Sequence, residues 1–119
     1  MAASERVPAG QVLRIKSLRR WFGLSQGDFA RVLGTPRSII ARWETSGGGP
    51  GSHTAAGRRA LVLREIKSLA IKIFGHQAKV WFHERVPAFN GATALETLNK
   101  RGPSRILTVL RAEWENAYL

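Results

Sequence analysis

The chain is predicted to be all-α, and three observations carry that prediction. No stretch alternates apolar and polar residues in the manner of a half-buried strand. Apolar residues recur instead at helical spacing, most clearly at Val62, Ile66, Leu69 and Ile73. These recurring groups are punctuated by helix starters such as Ser25, Thr93 and Pro103, and by glycine stops at Gly23, Gly34 and Gly75.

The elements follow in order. Residues 11–21 read as a first helix, with Val12, Ile15, Leu18 and Phe22 on one stripe and Arg14, Lys16, Arg19 and Arg20 mostly off it. Gly23 ends it. Ser25 is a good N-cap for a second helix, and Asp28 lies close to its positive end. Phe29, Ala30 and Leu33 form its inner face, and Gly34 makes the turn. Thr35 followed by Pro36 reads as a cap and first position of a third helix, in which Ile39, Ile40 and Trp43 face inward and Arg37, Ser38 and Arg42 outward. Residues 46–52, Ser-Gly-Gly-Gly-Pro-Gly-Ser, read as a flexible connection. A long helix is expected over about 55–74, its stripe widened by Leu63, Ala70 and Phe74 enough for both a core and a dimer partner. A short helix over 77–83 supplies Val80, Trp81 and Phe82. The segment 85–92 is irregular, with a turn at Asn90-Gly91. Thr93 and Glu96 have capping-box spacing, and Gly102-Pro103 opens a last helix carrying Ile106, Leu107, Val109, Leu110 and Trp114. The implied organisation is 1–50, 51–75 and 76–119.

Composition narrows the function. With 44% hydrophobic residues, four Trp and five Phe among 119 residues, the chain can bury a core without staples. It has no cysteine, so disulfides and thiolate metal sites are excluded, which fits a reducing compartment. No apolar run approaches the ~20 residues of a membrane span, and residues 1–10 lack a secretory signal's apolar block. A cytoplasmic protein with no membrane partner is expected. The formal net charge of +11 favours a polyanionic partner, because binding to phosphates releases condensed counterions. Residues 1–60 carry ten Lys/Arg against three acids and residues 61–119 nine against five, which points the nucleic-acid contact toward the first half.

Two short helices meeting at Gly34 form the pattern of a helix-turn-helix. Arg37 and Arg42 suit the forked acceptors of guanine, and Ser38 can serve any base. Ser25 and Gln26, at the start of the preceding helix, are placed to bind phosphate. The plainer reading of the same residues is an antiparallel helix pair with a solvated basic face. The string Leu24-Ser25-Gln26, Phe29-Ala30, Leu33-Gly34, Ile40, Trp43-Glu44 resembles the Xre (Cro/CI-type repressor) helix-turn-helix family. That resemblance implies DNA-contacting positions at Gln26, Arg37, Ser38 and Arg42, and core positions at Leu24, Ala30, Ile40 and Trp43. Pro36 stands where the family often has a serine or another phosphate-binding residue.

A second resemblance covers residues 79–118. Trp81-Phe82, Pro87-Ala88-Phe89, Asn90-Gly91, Thr93, Leu95-Glu96, Gly102 and Val109-Leu110 are similar to the Xre/MbcA/ParS toxin-binding domain of bacterial antitoxins. Asn90-Gly91 replaces a common Gly-Gly and Thr93-Ala94 a common Thr-Pro, and both changes keep a turn followed by a helix start. The resemblance implies an N-terminal helix-turn-helix bundle followed by a small helical toxin-binding domain. Its partners would be operator DNA and a cognate toxin of ADP-ribosyltransferase-like (RES-type) fold that degrades NAD or modifies proteins. The antitoxin would block the toxin's active site and autoregulate its operon as a homodimer. The residues it assigns to the toxin are Phe89, Asn90, Gly91, Thr93, Trp114, Asn116 and Tyr118. Read without the family, the acidic and aromatic end around Glu113, Trp114, Glu115 and Tyr118 opposes the helix dipole and suits insertion into a basic pocket; a frayed terminus with Trp114 in the core is the plainer reading.

Other chemistry finds little support. His53, His76 and His83 lack metal-ligand spacing, and the glycine segment lacks the Lys-Ser/Thr sequel of a phosphate loop. No nucleophile–base pair can be assembled, so neither an enzyme nor a cofactor is expected. A stand-alone Xre-type repressor whose C-terminal helices only dimerise it stays open beside the antitoxin reading.

Overall fold

The computed structural model describes residues 13–118, with the side chain of Tyr118 excepted. The expected start of the first helix at residues 11–12, including Val12, lies outside the described residues, as does the side chain of Tyr118. Seven α-helices are described: α1 (Lys16–Phe22), α2 (Gln26–Leu33), α3 (Arg37–Ser46), α4 (Ala55–Phe74), α5 (Ala78–Trp81), α6 (Ala94–Arg101) and α7 (Ser104–Tyr118). Short 3-10 turns occupy Gly75–Gln77 and Pro87–Phe89. Among the described residues there is no strand, only an isolated bridge between Arg85 and Thr93.

The first helix begins at Lys16, later than its periodicity predicts. The Leu13 N–H donates to the Pro50 carbonyl at 2.9 Å, which commits residue 13 to a non-helical pairing while its side chain enters the core. Ser25 caps α2 as expected, its Oγ accepting the Asp28 N–H at 3.0 Å. Gly34 ends α2 at φ 71°. The Arg59 guanidinium donates to the Leu33 carbonyl at 3.1 Å and lies where a Cβ on Gly34 would project. The third helix is capped one residue later than Thr35-Pro36 suggests. The Thr35 N–H is taken by the Ala30 carbonyl at 3.0 Å, closing α2, and the Pro36 carbonyl receives the first N–H groups of α3.

The later part of residues 46–52 is packed, where composition suggests a loose connection. Gly49, Pro50 and Ser52 are buried, and Gly49 lies so close to the Leu13 backbone that a side chain would collide with it. Glycine at 49 supplies that close approach, while Gly47, at φ 76°, ends α3.

Thr54 caps α4 by accepting the Gly57 N–H at 2.9 Å. The helix sits at the centre of the molecule, against α2, α5 and α7. Its fully buried face is Ala60, Leu63, Ile66 and Ala70. The stripe read from sequence is therefore rotated: Ile66 is central, while Val62, Leu69 and Ile73 are only partly buried. Beyond it, α5 stops at Trp81, and Val80 is 50% exposed instead of joining the core. Trp81 and Phe82 are core residues. Phe82 meets Phe22, Trp21 and Trp81 edge-on at 5.3, 5.6 and 5.1 Å, and Trp81 stacks on Phe74 at 5.2 Å. This cluster welds α1 to the segment following α4.

The capping box expected at Thr93 and Glu96 is present in both directions. Ile106 and Leu110 anchor α7 with no exposed surface. Buried residues from Leu13 to Leu110 form one continuous core, shared by the segments 1–50, 51–75 and 76–119. No described helix is long and apolar enough to cross a membrane.

Candidate nucleic-acid interface and C-terminal surface

One ion pair ties the helices of the helix-turn-helix together beside its apolar core. Arg19 of α1 grips Glu44 of α3 with Nε to Oε2 at 2.6 Å and the second guanidinium nitrogen to Oε1 at 2.9 Å. Its remaining nitrogen donates to the Leu24 carbonyl at 2.8 Å, so one side chain ties α1, the turn before α2, and α3 together. The Glu44 side chain is only 5% exposed. The Arg19 hydrogen bond holds its carboxyl below the usual range against the opposing effect of burial, with smaller help from Gln26 and Lys16. Arg19 is correspondingly raised, first by its hydrogen bond to Glu44.

Around this clamp the residues singled out for DNA divide in two. Arg37, Ser38 and Arg42 are exposed on α3, and their side chains have no hydrogen bond or ion pair among the described residues. They are free to reach base edges. Ser25 and Gln26, by contrast, are already engaged. Ser25 Oγ caps α2, and Gln26 Nε2 donates to Glu44 Oε1 at 3.3 Å, which leaves Gln26 an open carbonyl and a second N–H. A Cβ on Gly27 would meet Ser25 Oγ and Arg37 Cδ at 3.9 and 4.0 Å, so the first turn of α2 and the first residue of α3 adjoin. Phosphate-type and base-type groups are thereby brought to one surface. The Pro36 position contributes no side-chain hydrogen bond.

The residues singled out for a protein partner fall into two groups. The first is the loop before α6. Asn90 (φ 56°) and Gly91 (φ 84°) form its exposed turn, and Val86 N–H to Ala92 carbonyl closes the loop at 3.1 Å. The Arg85 guanidinium donates to the Gly91 carbonyl at 2.8 Å, and that of Arg105 to the Ala88 carbonyl at 2.7 Å. Phe89 is buried and meets Trp81 at 6.2 Å, and Thr93 is spent on the capping box. Both residues support the loop; Asn90 and Gly91 are what it presents. A cleft of about 160 Å³ beside Asn90 is rimmed by Lys100, Arg101 and Arg105.

The second group is the end of α7, where Trp114 is half-buried and Asn116 exposed. Nine residues separate Arg105 from Trp114, about 13 Å along a helix axis, so loop and tail are distinct patches. Among the described residues, no group of three His, Asp or Glu side chains could hold a metal ion.

The family model for helix-turn-helix proteins matches residues 15–56. Those residues are an Xre-type helix-turn-helix domain. No curated protein matches the chain by sequence. Among solved structures, a chain of the M. tuberculosis MbcT–MbcA toxin–antitoxin complex is similar, with a TM-score of 0.56 at 14% identity over 89% of this chain and 95% of that one. The likeness is one of fold. It extends well beyond the helix-turn-helix and takes in helices that the family model leaves unmatched.

Sequence reasoning missed the Arg19–Glu44 clamp and the anchoring roles of Arg59 and Arg105. Their only sequence signal is charge, and their partners lie 25, 26 and 17 residues away.

Proposed function

We propose that the chain is an antitoxin: a DNA-binding regulator whose C-terminal helices bind and silence a cognate toxin. The observation that carries this reading is the fold likeness to a toxin–antitoxin complex chain across nearly the whole length, 95% of that chain, joined to an exposed Arg37-Ser38-Arg42 surface. The toxin is of ADP-ribosyltransferase-like (RES-type) fold and consumes NAD or modifies protein with it. The tail of α7, with Trp114, Asn116 and Tyr118, plugs its active site, and the Asn90-Gly91 turn braces the contact. The complex represses its own operon. A cytoplasmic homodimer reads two half-sites, with α4 supplying the dimer surface. The protein acts by binding.

Two variants divide the labour. Arg37→Ala should weaken binding to the promoter upstream of its own gene by about tenfold, corresponding to 1–3 kcal/mol for a lost forked base contact, and leave toxin inhibition intact. Removing residues 115–119 should do the reverse. An unchanged inhibition constant after truncation contradicts the plug, and loss of both functions in Arg37→Ala contradicts the division.

A further inference from the structure

The helix-turn-helix is not the only cationic surface. Arg14, Lys16 and Arg20 from the first helical region, Lys67 of α4 and Lys79 near α5's start surround a hollow of about 500 Å³ with Trp21 as its wall. No acidic residue lines it, nor the adjoining hollow of about 330 Å³, which shares Arg14, Ser17 and Lys67 and adds Arg64. None of these six cations forms a hydrogen bond or an ion pair with another side chain among the described residues. Lys67 is instead held over the Trp21 ring at 5.7 Å, and Trp21 is itself fixed edge-on by Phe22 and Phe82. The Lys67 charge is therefore held against an aromatic wall.

This face is not the one α3 uses. At roughly 3.6 residues per turn, Arg19 and Trp21 project about 160° apart on α1. Arg19 points to α3 through Glu44, whereas Trp21 points to α4 and the residues around α5. Lys16 and Arg20 lie between these directions and make the positive surface continuous round α1.

We infer that the Arg14–Lys16–Arg20–Lys67–Lys79 face is a second DNA-binding surface, gripping the phosphate backbone of duplex outside the stretch under α3. Unpaired cations without an interspersed acid are what a phosphate backbone selects, since each contact releases counterions. A protein surface of mixed charge would be matched by mixed charge, as at the Glu65–Arg111 pair elsewhere on α4. The inference extends the DNA-binding part of the function above and does not depend on the toxin.

The test is fluorescence anisotropy of the full-length protein on a random-sequence 40-bp duplex between 50 and 200 mM NaCl, comparing wild type, Lys67→Gln/Lys79→Gln and Arg37→Ala/Arg42→Ala. Each lost phosphate contact flattens the log–log salt slope by about 0.9. Lys67→Gln/Lys79→Gln should therefore flatten it by about 1.8 and weaken binding at least tenfold at 100 mM, with a melting temperature lowered only by the lost Lys67–Trp21 contact. Lys67→Arg/Lys79→Arg should restore both. Unchanged slope and affinity in Lys67→Gln/Lys79→Gln would overturn the inference, and so would unchanged DNA binding joined to a lost acidic protein partner. Failure of the helix-turn-helix reading is a separate result: unchanged binding in Arg37→Ala/Arg42→Ala.

Discussion

Arg19 and Glu44 show how much of a helix-turn-helix surface is held in place by an ion pair behind it. The Glu44 side chain is largely covered, so removing Arg19 leaves its charge with only the Gln26 hydrogen bond and the more distant Lys16 to offset it. Arg19→Ala should cost about 1–3 kcal/mol, the scale of a lost hydrogen bond to a charged group, read as a lowered urea midpoint at unchanged m-value. The same pair sets an acid limit. Glu44 is held below its ordinary value of 4.5, so the folded state favours its ionised form. That stabilisation is fully present above the unfolded-state value and is lost as pH falls through the lower folded-state value. Glu96, lowered first by the Thr93 backbone hydrogen bond, acts in the same direction. The melting temperature should stay flat from neutrality down to about pH 5 and fall below it, and Glu44→Gln should flatten that fall. A melting curve indifferent to acid would remove Glu44 from this role. Sequence pointed to the outward set Arg37, Ser38 and Arg42 because helical period alone decides which side of α3 they occupy. It could not reveal the clamp, whose partners meet only through the tertiary fold.

At the scale of elements, local chemistry was legible where it is local. Ser25 with Asp28, Thr93 with Glu96, and the long run from Ala55 to Phe74 carry their own start and stop signals, and the structure uses them. Where the deciding partner is distant, the reading slipped. The start of α1 is set by Pro50, the Thr35 N–H is claimed by Ala30, and the buried stripe of α4 is chosen by helices on several sides. The glycine run from Gly47 to Gly51 is the sharpest case, since the same composition serves a flexible tether or a tight backbone crossing. Two glycines test that distinction. Gly27, within α2, has only ordinary van der Waals neighbours at its Cβ position, so Gly27→Ala should stabilise by up to ~1 kcal/mol through helix propensity. Gly57, within α4, abuts the Gly51 carbonyl, so Gly57→Ala should destabilise by about 1–3 kcal/mol despite the same propensity gain. Equal effects on thermal unfolding would mean that the 46–52 segment is not packed against α4.

At the scale of the molecule, one core runs from the helix-turn-helix to α7, so the exposed face of α3 and the end of α7 are mounted on a single body. Calorimetry should give one cooperative transition with equal calorimetric and van't Hoff enthalpies; two separated transitions would mean that the halves are independent domains. The antitoxin proposal is tested most directly by growth and cellular NAD on inducing the neighbouring gene alone and together with this chain. Arrest is expected when the neighbour is expressed alone, with NAD loss if the toxin degrades the dinucleotide, and recovery on co-expression that depends on residues 115–119. A harmless neighbour, or arrest that this chain does not relieve, would contradict it.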